Sequence, residues 1–286
     1  MTTDITGELT AQFGPRGLRR FAAAELDGLQ VPAGAAGPLA EAGLPIQVGP
    51  YFTATSGEPL PLGEYASSAG FPEAAASAAG WLRLGTDRGA ELCVEPDGQV
   101  RALFVVADAP SMHVNASVPA FLRALLALDR HLPVLAAPGD QDPAAVFRGL
   151  RKRLLEVDEA ALQDDEAWWP RVLEQIRHAM SFPFSAAFEV GDSRGGKRIE
   201  TEQAAVGLAH PERVLWSRLE RQGVRPEQVT RVYTELEPCF LPGNYCAMWL
   251  TKFTRAEFSH SFDYGDTAAE REAGLLDLMR YAAEQD

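Results

Sequence analysis

The chain has 286 residues, 46% of them hydrophobic, and a formal charge of −14. That length supplies material for two domain cores, while the acidic excess, which lies mostly in the first half, excludes a broadly basic nucleic-acid surface. Three cysteines are too few for a disulfide framework, no apolar run nears the roughly 20 residues of a membrane helix, and the opening MTTDITGELT lacks the basic and apolar regions of a signal peptide, so a reduced, cytoplasmic protein is expected.

Residues 1–80 are rich in Ala, Gly and Pro and give no clear element, only short apolar pieces such as PLAEAGLPIQV and PYFTA between turns. From Gly80 the pattern sharpens. GWLRLG, AELCVE and QVRALFVV, with the turn PDG before the last, predict a β-meander in which Cys93 is a small buried apolar residue. SVPAFLRALLALDRHL predicts a helix capped by Ser117, with Pro119 in its first turn and Phe121, Leu122, Leu125, Leu128 and Leu132 on one face. Two more helices are expected in DPAAVFRGLRKRLLEVDEAAL and DDEAWWPRVLEQIRHAM, the second starting near Trp168 and Trp169 because Pro170 suits a first turn. His113, His131 and His178 have no cysteine pattern near them and read as surface or helix-end residues.

After Met180 the texture changes. FSAAFEV and KRIETEQ flank GDSRGG as a hairpin; HPERVLWSRLERQG is a helix, QVTRVYTEL a strand, YCAMWLTKF a short helix, AEFSHSFDYG a strand, and TAAEREAGLLDLMRYAAE a final amphipathic helix. Strands separated by helices must cross over, so the order β-β-α-β-α-β-α implies an α/β layer with at least one parallel pair.

Two of the three cysteines sit in TELEPCFLPGNYC, as Cys239 and Cys246, around a Pro-Gly turn. Upstream, His210 falls at the N-cap of a helix begun by Pro211, with Glu212 in the first turn. A helix N-terminus carries positive dipole character that favours thiolates. His210, Cys239 and Cys246 make a set of three zinc ligands; a Zn2+ site of three protein ligands keeps one position open, which marks catalysis rather than structure. With Glu212 the pattern is H-x-E followed by P-C and a second Cys, the signature of zinc nucleobase deaminases, in which the glutamate shuttles protons. The spacing C-x6-C departs from the C-x-x-C of that signature. Two structural readings stand beside it: a Cys239–Cys246 disulfide, or a closed zinc site with His260 as fourth ligand. Tyr245, Trp249 and Tyr264 are candidates for stacking a base, or else core residues.

HPERVLW, RVYTELEPCFLPGNYC and AEFSHSFDYG followed by REAG resemble the nucleic acid and nucleotide deaminases of bacterial polymorphic toxin systems, in the cytidine-deaminase-like superfamily. The resemblance implies a three-layer α/β fold with a mixed sheet over residues 182–286, zinc on His210, Cys239 and Cys246, and the proton shuttle on Glu212. A lengthened loop between the cysteines is familiar in that family, and a fifth sheet strand found in some members is expected to be missing. FGPRGLRRF, EAGLP, GWLRLGTDRGAELCVEPDGQVRALF, SVPAFLRALLALDRHLPVL and WWPRVLEQI resemble SUKH-superfamily immunity domains of the fourth subfamily, which implies an α+β binding module over residues 1–181 that recognises a toxin or immunity partner.

The function expected is hydrolytic deamination of a nucleobase, cytosine to uracil, in single-stranded DNA or RNA rather than duplex, or in a free nucleotide, with the acidic first domain restraining the enzyme. The rival is a toxin-binding protein whose deaminase-like half is an inactive scaffold.

Overall fold

A computed structural model of the chain describes residues 4–26, 29–191 and 195–285. It divides into two compact units, Met1–Val172 and Leu173–Asp286.

The first unit opens with α1 (Ile5–Phe13), capped by the Asp4 carboxylate, β1 (Leu18–Arg19), α2 (Ala23–Leu26) and α3 (Ala33–Glu41). Then come β2 (Leu44–Pro45), β3 (Gln47–Val48), β4 (Phe52–Ala54) and α4 (Leu62–Ser68), none of which the sequence pattern located. The expected meander follows as β5 (Leu82–Thr86), β6 (Ala90–Val94) and β7 (Val100–Phe104), extended by β8 (Met112–Asn115). β3 to β8 form one antiparallel sheet in chain order, and β1 pairs with β2. A Cβ on Gly85 would stand 2.2 Å from the Thr53 carbonyl oxygen, so only glycine lets β4 approach β5 there.

Helix α5 (Val118–Ala136) has the Ser117 hydroxyl accepting from the Ala120 amide. It runs past Pro133, and Phe121 meets Phe52 edge to face at 5.3 Å. It packs along α6 (Pro143–Val157). The next helix, α7 (Trp168–Ser181), starts where Pro170 predicts. Its two indoles are buried and each finds a buried acceptor: Trp168 donates to Asp87 (2.7 Å) and Trp169 to Asn115 (2.9 Å). The division between the units falls inside this helix, nine residues before the boundary at 181/182 expected from the sequence.

The second unit carries β9 (Ser185–Gly191), β10 (Lys197–Gln203), α8 (Pro211–Arg221), β11 (Val229–Leu236), α9 (Cys246–Trp249), β12 (Glu257–Phe262) and α10 (Ala268–Gln285). β9 and β10 pair antiparallel as the hairpin reading requires; the turn expected at GDSRGG falls in part outside the described residues. The sheet order is β10-β9-β11-β12, with β11 antiparallel to β9 and parallel to β12. This is the mixed sheet the element order demands. Helix α8 packs on β9 and β10, and α10 on β11 and β12. A Cβ on Gly274 would lie 2.0 Å from the Asp263 carbonyl oxygen, so α10 reaches the end of β12 only through a glycine.

A polar cluster ties the C-terminal part of α7 to α10. Arg271, buried, grips Glu174 with two bonds, from Nε at 2.7 Å and Nη2 at 2.9 Å. Arg177 pairs with Glu272. His178 is fully buried, which corrects the surface reading made from sequence. Its Nε2 lies 3.2 Å from Glu272 and its Nδ1 2.5 Å from the Tyr264 hydroxyl. The Arg177 guanidinium lies 3.0 Å from the same Nε2, so that nitrogen faces both a donor and a carboxylate. Burial, then the Arg177 charge, push the His178 imidazole down to about 4.

Candidate functional site

Helix α8 begins at Pro211, whose fixed φ suits a first turn and whose missing N–H is no loss there. His210 is therefore the N-cap, with non-helical ψ of 153°, and its ring leaves the helix axis while Glu212 sits one residue into the first turn. The strand β11 ends at Leu236 and the chain passes through Glu237 and Pro238 to Cys239. A turn at Pro242–Asn244, with Gly243 at φ 78°, brings it back to Cys246 at the start of α9. The Leu241 carbonyl accepts from the amides of Asn244 and Tyr245, and the Cys239 carbonyl from Ala247. The longer loop closes on itself.

The closed loop places His210 Nδ1 3.3 Å from Cys239 Sγ and 3.8 Å from Cys246 Sγ. The ligand atoms of the three residues all lie within 4.8 Å of one another, and all three residues are buried. A tetrahedral zinc with bonds of about 2.0–2.3 Å spaces its ligands by roughly 3.5–3.8 Å, so the donor set fits a metal in both spacing and chemistry. Both cysteines are free, against the disulfide reading. His260 is absent from this cluster; it lies on β12, 3.2 Å from Asp263.

The electrostatics are those of thiols sharing a proton. Burial opposes ionisation of Cys239, but the hydrogen bond from Cys246 and the charge of His210 outweigh it and hold that thiol well below its ordinary value. Burial and the neighbouring Cys239 push Cys246 well above its own. Burial pushes the Glu212 carboxyl up, with His210 opposing.

A cavity of about 10 Å3, room for a single water, opens against this cluster; its wall includes Phe184, His210, Glu212, Thr234, Cys239 and Tyr264. Of the aromatic candidates, Tyr264 lines it and the other two do not. Tyr245, fully buried in a left-handed conformation (φ 42°), packs edge to face on Phe240. Trp249 packs against the Arg213 guanidinium and the Lys252 ammonium. Burial pushes the Lys252 ammonium down to about 8.

Sequence reasoning missed Asn244. Its side-chain oxygen accepts the His210 backbone N–H at 2.7 Å, and its own carbonyl accepts from the Arg213 guanidinium. It also missed Thr234 and Glu237. Glu237 accepts from the amides of Tyr264 and Gly265 at 3.1 and 3.2 Å. It is a wall shared by the small cavity and two larger hollows. One, of about 760 Å3, is lined by Asp263, Glu270 and Asp277; the other, of about 240 Å3, is lined mainly by apolar groups including Pro238, Leu250 and Phe258. No Lys or Arg among the described residues lines any of the three.

A family model described as Xanthomonas-like deaminase matches residues 183–281, the span that holds this site. A second, described as SUKH-4 immunity protein, matches residues 5–175. The class defined by fold, site and matches is thus an immunity domain joined to a deaminase-like domain in one chain. The chain belongs to the SUKH-4 immunity protein family. No curated protein and no solved structure matches it.

Proposed function

We propose that the second unit is a zinc-dependent hydrolase that deaminates a nucleobase, cytosine to uracil, with His210, Cys239 and Cys246 holding the metal and Glu212 moving protons. The convergence of one imidazole nitrogen and two free thiols within 4.8 Å, next to the Glu212-lined cavity, carries this reading. When bound, zinc supplies a Lewis acid that brings the pKa of a water near neutrality. Glu212 takes one proton from the attacking water and delivers it to the ring nitrogen. It then passes the second proton to the exocyclic amine, the C–N bond breaks, and ammonia leaves as the carbonyl forms. Water and amine are consumed, carbonyl and ammonia produced, and no redox partner is needed.

The nucleobase is carried by single-stranded nucleic acid or a nucleotide. A second reading, a free base or nucleoside, is favoured by one observation: carboxylates and no Lys or Arg line the 760 Å3 hollow beside the site, a poor setting for phosphates. For the first unit, the family supports a role in binding a toxin partner or restraining the enzyme in cis; a protein whose deaminase-like half is only a scaffold is the competing proposal.

Metal analysis and an ammonia-release assay on single-stranded DNA, RNA, cytidine and cytosine, read by mass change of the base, test the reading. The expected result is one zinc per chain and release abolished by Glu212→Gln. A folded protein that binds no zinc favours the scaffold proposal, as does a zinc-loaded one that releases no ammonia from any substrate. The same panel separates polymer from free base.

A further inference from the structure

Three polar atoms in the wall of the small cavity are buried and have no hydrogen-bond partner: His210 Nε2, Glu212 Oε2 and Thr234 Oγ1. Buried hydroxyls nearly always find partners, so an orphan calls for an explanation. On β11 the buried positions alternate through Val232, Thr234 and Leu236, and Thr234 is 3% exposed. A valine there would have the same shape and no polar atom to desolvate. For packing alone, the strand gains nothing from threonine. The hydroxyl is explained if it meets a ligand inside the cavity, which has room for one water and also receives the unpaired Glu212 oxygen.

We infer that Thr234 is a further catalytic residue, its hydroxyl and the Glu212 carboxylate together holding the water consumed in the reaction. The inference rests on the deaminase reading above. Glu212 accepts one O–H of the water and Thr234 the other, which leaves one lone pair of the water oxygen for the metal that His210, Cys239 and Cys246 would hold and one to face the electrophile. Thr234 takes no proton in the net reaction; it fixes the direction of attack.

The test uses the full-length, zinc-loaded protein and its Thr234→Val and Thr234→Ser variants, with cytidine and a cytosine-containing single-stranded oligonucleotide as substrates. Thr234→Val is expected to lower kcat about 100-fold, with KM and zinc content unchanged, and Thr234→Ser to restore most of the rate. In the metal-free protein Thr234→Val should raise Tm by about 2–5 °C, because it removes an unpartnered buried hydroxyl. Wild-type kcat in Thr234→Val overturns the assignment, as does an equal loss in Thr234→Ser or a lowered Tm in metal-free Thr234→Val. If Glu212→Gln abolishes ammonia release and Thr234→Val keeps wild-type kcat, only the Thr234 assignment falls. If the wild-type protein releases no ammonia from either substrate, both fall.

Discussion

The side chain of Asn244 accepts the backbone N–H of His210 at 2.7 Å. One hydrogen bond thus joins the tip of the cysteine loop to the N-cap of α8, which is the histidine itself. His210 N–H is one of the donors a helix start leaves without an intrahelical partner, and it lies in a buried setting. Asn244→Ala leaves it unsatisfied and is expected to cost the second unit about 1–3 kcal/mol. Because the bond ties the His210 backbone to the loop that carries both cysteines, zinc affinity should fall roughly 10- to 100-fold. Competition with a chromogenic chelator measures the second effect, and unchanged affinity would refute the link.

Zinc should stabilise the folded chain by mass action. At a free metal concentration about 1,000 times Kd the gain is about 4 kcal/mol, seen as a rise in the melting temperature of the second unit. Cys239→Ala, Cys246→Ala and His210→Ala should each abolish that rise, and a strong chelator should reverse it in the wild type.

Arg271 and Glu174 are both buried and joined by two bonds. Removing one partner strands the other charge, so Arg271→Ala is expected to destabilise by about 3–5 kcal/mol. The double variant with Glu174→Leu should lose less than the sum of the two single variants. Denaturant unfolding of all four proteins gives the coupling.

His178 is held down to about 4, first by burial and then by the Arg177 charge, with Glu272 opposing. Glu174, 4.0 Å away, and the Tyr264 hydroxyl also face it. The unfolded chain therefore takes up this proton first as pH drops. Stability of the second unit is full above about pH 6.5 and is lost as pH falls toward 4, by roughly 3 kcal/mol at about 1.4 kcal/mol per pH unit. His178→Gln should flatten that slope. An unchanged profile in the variant would assign the acid sensitivity to other groups.

Much of the second unit was legible because its helices and strands carry regular apolar periods and a His-Pro start, and the grouping of His210, Cys239 and Cys246 because H-x-E and P-C stand out as a spaced pattern. The residues missed are those whose partners are remote. Asn244 reads as a turn former in PGNYC, while the atom it serves is 34 positions away. His178 reads as a helix end because Tyr264 and Glu272 lie 86 and 94 positions further on. Thr234 is a β-branched residue in a strand, where it needs no other reason to be. The first 80 residues were opaque for another cause. β1, β2 and β3 are two residues each, too short for alternation to register, and α3 forms over AGAAGPLAE, whose two glycines and Pro38 speak against a helix; it stands because Ala35 and Leu39 are buried.

The division of the chain inside α7 matters to anyone who would take the halves apart. A fragment beginning at residue 182, where composition changes, discards both Glu174 and His178. It takes away the carboxylate that grips Arg271 from two sides and the imidazole that meets the Tyr264 hydroxyl. Inactivity of such a fragment would report a broken scaffold and say nothing about chemistry; the severed piece must keep Leu173 onward to be a fair witness.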